Sequence, residues 1–177
     1  MVNSSGANHG LDSVCRDALV HQYEALAQML RNVLESCPDE QWTAELDGIP
    51  FWHIAYHTIY YLDLYCGDSV ELKEGFETVS FAVEGDSDLG VATSRLFSKS
   101  DLLGYLDDTE RKCIGIIRDL DADALSRPTA FEWKVGRNVF ELLLENLRHL
   151  NHHIGQLHSI LRYETGTAPG WIGRKTV

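Results

Sequence analysis

Positive charge is scarce in this sequence. Fifteen Lys and Arg stand against 27 Asp and Glu, a formal net charge of −12. Duplex binding rests on basic side chains neutralising phosphates, so such a surface repels nucleic acid. No local cluster of basic residues reverses that conclusion. Long apolar runs are missing as well: nothing approaches the roughly eighteen consecutive apolar residues that a membrane-spanning helix needs. The opening MVNSSGANHG carries neither a basic run nor an apolar one, so it does not read as a signal peptide. Cysteine is sparse and scattered (Cys15, Cys37, Cys66 and Cys113), with no C-x-x-C pair. That spacing supports neither a disulfide framework nor a thiolate zinc site, and it suits free thiols in a reducing compartment. The expected location is cytoplasmic.

What remains is a chain of 177 residues with 44% hydrophobic and 24% charged content, ordinary for one globular domain with a buried core. A single domain over 1–177 is expected, with residues 1–10 as a flexible tail. Four segments read as long helices. From about Ser13 to Cys37, the residues Val14, Leu19, Tyr23, Leu26, Leu30, Val33 and Leu34 fall near helical spacing, and Pro38 stops the run. A second helix starts at PFWHIAYHTIYYLDLYCG, with Pro50 in its first turn and Gly67 as its C-terminal cap. A third begins at KSDLLGYL, capped by Ser100, and runs to about Leu120. The fourth extends from about Asn138 through Arg162. Between Gly67 and Lys99 the composition turns to Gly, Asp, Ser and Glu with no period, a long crossover able to carry a short extra helix. Strand-like content is nearly absent. The pattern predicts an all-α four-helix bundle with a long crossover between the second and third helices.

Histidine is where chemistry concentrates. On the last helix, Leu143, Leu147, Leu150, Ile154, Leu157 and Leu161 form a bundle seam. A neighbouring stripe, about 100° around the helix, holds Leu142, Asn146, His149, His153, Gln156 and Ile160. His149 and His153 stand one turn apart on that stripe, so their side chains can converge on one metal ion. Neutral imidazole suits zinc, nickel, copper and iron(II). Two ligands rarely suffice. The second helix offers His53 and His57, again at i and i+4, and spacing alone does not choose between them. His152 and His158 fall off the stripe, and His9 and His21 have no support.

Several familiar signatures are missing. Leu150 and Asn151 stand between the histidines where H-E-x-x-H has its general base. Glu145 precedes His149 by four residues rather than the three of the di-iron Glu-x-x-His pattern, although it could orient His149 from behind. No P-loop and no G-x-S-x-G is present.

His149-x₃-His153-Ile154-Gly155-Gln156 on a last long helix, preceded by Tyr56-His57-Thr58-Ile59 on the second, resembles the signature of the DinB-like (YfiT-like) superfamily. The resemblance follows the element order of the whole chain, while its specific motifs lie on the second and fourth helices. It implies a four-helix bundle, often a homodimer, holding a divalent metal ion on His57, His149 and His153, and so favours His57 over His53. Zinc or nickel is the expected ion, with iron or manganese behind. The resemblance also implies chemistry with a low-molecular-weight thiol such as bacillithiol, mycothiol or glutathione, in an S-transferase or isomerase acting on a small molecule. Two other classes compete: a non-catalytic dimer in which metal only clamps helices, serving as sensor or interaction protein, and a metal-free bundle. Trp52, Tyr60 and Tyr61 are candidates for an aromatic wall.

Overall fold

The computed structural model describes residues 5–70, 88–89 and 95–175. Among them are four long helices: α1 (Ser5–Ser36), α2 (Phe51–Val70), α3 (Lys99–Asp119) and α5 (Val139–Thr165). A short α4 (Ala122–Ser126) sits before the last of these. The all-α bundle anticipated from the sequence is the architecture found. Most of the crossover, including any extra helix in it, lies outside the described residues.

α1 begins at Ser5, well before the expected start. Its seam of Leu19, Tyr23, Leu30, Val33 and Leu34 is buried as the periodicity predicts, but Val14 is 63% exposed, because the stripe leaves the bundle below Leu19. After Pro38 a tight ribbon follows, β1 (Glu45–Leu46) paired antiparallel with β2 (Ile49–Pro50). Its turn is Asp47-Gly48, both with positive φ (54° and 78°), the conformation that suits a two-residue hairpin. Pro50 therefore ends a strand instead of opening a helix. The ribbon also completes the start of α2, whose first amides donate to carbonyls of the preceding segment: Phe51 N–H to Ala44 O at 2.7 Å and Trp52 N–H to Trp42 O at 3.2 Å.

α2 is buried from Phe51 through Ile59 without a polar face, the pattern of a helix covered on all sides. It continues past Gly67 to Val70, so Gly67 is not its cap. α3 is capped by Ser98, two residues before the expected Ser100. The Ser98 hydroxyl accepts from Asp101 N–H while the Asp101 carboxylate accepts from Ser98 N–H, which satisfies two orphan amides reciprocally. α5 starts where expected, with Asn138 as its cap, and runs a turn beyond the expected Arg162 to end on Gly166 with φ 77°.

Packing runs in a ring: α1 on α3, α3 on α2, α2 on α5, and α5 back on α1. Cross-links give the directions. Arg31 pairs with Glu110 at 3.1 Å and Arg118 with Glu24 at 3.2 Å, so α1 and α3 are antiparallel. Phe97 meets Trp52 and Tyr56, whereas Lys112 meets Asp63, so α2 and α3 run parallel. His57 faces His149 and His153, while the Leu62 carbonyl accepts from Asn146, so α2 and α5 are antiparallel. Two parallel neighbours cannot be joined by a short turn, which explains why the chain between α2 and α3 is long. Among the described residues, no helix is long and apolar enough to cross a membrane.

Candidate metal centre

The α2–α5 seam carries the histidines. His57 sits in the second turn of α2, and His149 and His153 stand one turn apart on α5. The stripe expected beside the buried face is itself largely core: Leu142, Asn146, His153 and Ile160 are all buried. α5 therefore presses two stripes inward, and the histidine stripe meets α2. His57 Nε2 lies 3.1 Å from His149 Nε2, and His153 Nε2 lies 3.1 Å from the same atom. One nitrogen from each of the three falls within 4.8 Å of the others, a group that could hold a metal ion.

The donor set fits such an ion. With metal–nitrogen bonds of about 2.0–2.1 Å, ligand nitrogens lie about 3.0–3.4 Å apart. Hydrogen bonding explains the convergence poorly. His149 Nε2 has either one proton to donate or one lone pair to offer, yet it faces two imidazole nitrogens at equal distance. A cation satisfies all three at once. His153 is already set for that role, because its Nδ1 lies 2.6 Å from Gln156 Oε1. An amide oxygen only accepts, so the proton is on Nδ1 and the Nε2 lone pair is free.

Burial disfavours the charged forms of His149 and His153. It pushes His149 down to about 3, with His153, His57, His152 and Lys134 adding positive charge in the same direction. Burial also lowers His153, partly opposed by its bond to Gln156. Neutral imidazole is the ligating form.

The other histidines are placed elsewhere. His53 is buried and stacked on Trp52 with ring centroids 5.2 Å apart. His152 is exposed, with its ring 4.9 Å from that of His153. His158 is half-buried on α5 outside the group, and His21 Nε2 meets Arg174 at 2.8 Å on the surface. The side chain of His9 lies outside the described residues.

Glu145 does not orient His149. It pairs with Lys134 at 2.6 Å and with Arg137, and these cations hold its carboxyl below the usual range against the opposing effect of burial. His149 Nδ1 has no hydrogen-bond partner among the described residues.

Of the aromatic candidates only Tyr61 reaches the triad, with its ring 4.7 Å from His57 and 5.2 Å from His149. Its phenol is pushed up to about 12, chiefly by burial, and meets Asp88 at 3.4 Å. Tyr60 packs against Tyr61, while Trp52 is turned to His53 and Phe97. The wall continues through residues the sequence reading passed over: Tyr65 lies 5.4 Å from Tyr61, and Phe131 lies 5.4 Å from Tyr65. Phe131 and Lys134 come from the turn before α5, where only the folded path of the chain brings them near. Gln156 was visible on the stripe, one turn beyond His153, but its role requires the rotamer. A cavity of about 630 Å³ beside Trp42, Phe97 and Lys99 includes no member of the triad.

A family model for the DinB superfamily matches residues 22–157, from within α1 to a turn beyond His153. No match is found among curated proteins or among solved structures. The matched span covers well over half of the chain and contains all three converging histidines, so the protein belongs to the DinB superfamily.

Proposed function

We propose that this protein is a divalent-metal-dependent enzyme that joins a small thiol to, or isomerises, a small electrophilic substrate. The observation that carries the reading is the meeting of His57, His149 and His153 nitrogens at 3.1 Å spacings. These three would hold the ion, and their nitrogen donors favour zinc or nickel over iron or manganese. Bound there, a divalent ion supplies a Lewis acid with open coordination positions, able to keep a thiol deprotonated near neutral pH.

The protein's own groups do the rest. Gln156 fixes the tautomer of His153, and Tyr61 shields one side of His57 and His149 from water. No carboxylate belongs to the described triad, and Glu145 is committed to Lys134 and Arg137. With no carboxylate in the triad among the described residues, a nucleophile that arrives as a thiol fits better than hydrolysis. Cytoplasmic location and a homodimer complete the proposal.

A second reading rests on the triad's bridging of α2 and α5: the ion would clamp the two helices and do no chemistry. Metal analysis of untagged protein, followed by a screen of several thiols against an epoxide and an alkyl halide, separates the readings. Near one metal per chain with thiol consumption is expected. A metal with no exchangeable coordination position would support the clamp. Less than about a tenth of a metal per chain would defeat both. His57→Ala should lose most of the metal and His53→Ala should keep it; the opposite result would reassign the second-helix ligand.

A further inference from the structure

Two buried atoms about one turn apart on α5 have no hydrogen-bond partner among the described residues: Oδ1 of Asn146 and Nδ1 of His149. The first is an acceptor, and the second carries a proton whenever Nε2 is the ligating nitrogen. Both are shut from water, so each bears the cost of an unmade bond. Their residues stand at i and i+3, where Cβ atoms lie about 5–6 Å apart and short side chains can meet. Helical side chains lean toward the N-terminus, which carries the His149 ring over the turn that holds Asn146.

Packing explains Asn146 poorly. It is 0% exposed, on a stripe whose other buried members are Leu142, His153 and Ile160. Its amide nitrogen donates to the Leu62 carbonyl at 3.4 Å, beyond the usual range of about 2.7–3.2 Å, and to the weakly accepting Cys66 Sγ at 3.8 Å. A carbonyl only accepts, so the nitrogen faces Leu62 and the oxygen is turned elsewhere. Glu145, the other acceptor in the turn before His149, is taken by Lys134 and Arg137. The spacing along α5 is symmetrical: Asn146-x₂-His149-x₃-His153-x₂-Gln156. At its far end Gln156 Oε1 already holds Nδ1 of His153 at 2.6 Å.

We propose that Asn146 is the positioning residue of His149: with a small turn of ring or amide, its Oδ1 receives the Nδ1 proton and leaves Nε2 bare toward His57 and His153. Each α5 ligand is then fixed by an amide of its own helix, one before the pair and one after it. What the bare nitrogen holds rests on the metal-centre reading, whereas the position of the proton can be read without a metal.

Long-range proton–nitrogen correlation spectra of histidine-labelled, metal-free protein, recorded near pH 8 where imidazole is neutral, show which ring nitrogen is protonated. The His149 signals are identified by their absence from His149→Phe. The Nδ1–H form is expected in the unaltered protein and mainly the Nε2–H form in Asn146→Leu, a change of similar volume without the acceptor. Asn146→Asp keeps an acceptor oxygen and should restore the Nδ1–H form. Zinc affinity, from competition with a chelator, should fall about 10–100-fold in Asn146→Leu and return in Asn146→Asp. Urea midpoints of the metal-free proteins separate positioning from packing. The leucine variant should match the unaltered protein, since it removes a poorly paired amide, and the aspartate variant, a buried carboxylate, should fall below it. An Nε2–H His149 in the unaltered protein would overturn the proposal, as would a tautomer unchanged in Asn146→Leu or a zinc affinity that follows the urea midpoints. A protein that takes up no zinc defeats the metal reading alone, because the tautomer comparison still decides for or against Asn146.

Discussion

The imidazole of His153 is held at both ends, by Gln156 at Nδ1 and by its histidine neighbours at Nε2. Partners behind a metal ligand fix its orientation and basicity, and their loss weakens metal binding about 10–100-fold. Gln156→Leu should show that loss in zinc competition with a chromophoric chelator, and Gln156→Glu should restore binding; unchanged affinity in the Leu variant would remove Gln156 from the site. His149 supplies a pH prediction. Its folded pKa of about 3 lies below the ordinary value, so between these limits the unfolded chain binds more protons. The stability of the metal-free protein is therefore greatest above about pH 6.5 and falls as pH drops toward 3. Urea midpoints across that range should show the decline, and His149→Phe should flatten it. At this scale the sequence reveals the pair His149 and His153, because i and i+4 on a helix is a geometric fact. It does not reveal the commitment of Glu145 to Lys134 and Arg137, since that depends on a turn folding back over α5.

Between elements, the α2–α3 contact contains a buried charge. Asp63 is 3% exposed and accepts from Lys112 at 2.7 Å and from the Tyr105 hydroxyl at 3.0 Å. Burial and the neighbouring carboxylate push the Tyr105 phenol well up, so it remains a donor. Asp63→Ala strands both donors and should cost about 2–3 kcal/mol in urea unfolding. In a double-mutant cycle with Lys112→Met, part of that cost should disappear; strict additivity would show that the pair is not coupled. Helix existence was legible here because seams repeat every three to four residues. Boundaries were less so: Ser98 and Ser100 are both plausible caps, and the reciprocal bond with Asp101 decides for Ser98. The Asp47-Gly48 turn was written in the sequence as a hairpin signal, but strands of two residues leave no alternation to detect.

For the whole molecule, four helices and a long crossover follow from pattern and length, whereas the ring order does not. Periodicity states which face is buried but not against which partner, and the parallel pairing of α2 with α3 appears only through contacts such as Lys112 with Asp63. The candidate centre joins α2 to α5, so an ion bound there stabilises the fold by mass action. At free zinc a thousandfold above the dissociation constant the gain is about 4 kcal/mol. Stripping the ion with a chelator should lower the thermal midpoint by several degrees at neutral pH, and His57→Ala should start from the lowered midpoint and not respond.

His57 and His149 are separated by 92 positions. On a ribosome the first ligand leaves the exit tunnel long before the other two are made, and until then it has no nitrogen partner with which to grip an ion. Under the proposed metal reading, a chain halted before His153 would be metal-poor however rich its surroundings. On the same reading, loading would thus be a late event in the life of the polypeptide, dependent on the last helix docking on the second, and metal content would report that the C-terminal third has arrived and folded.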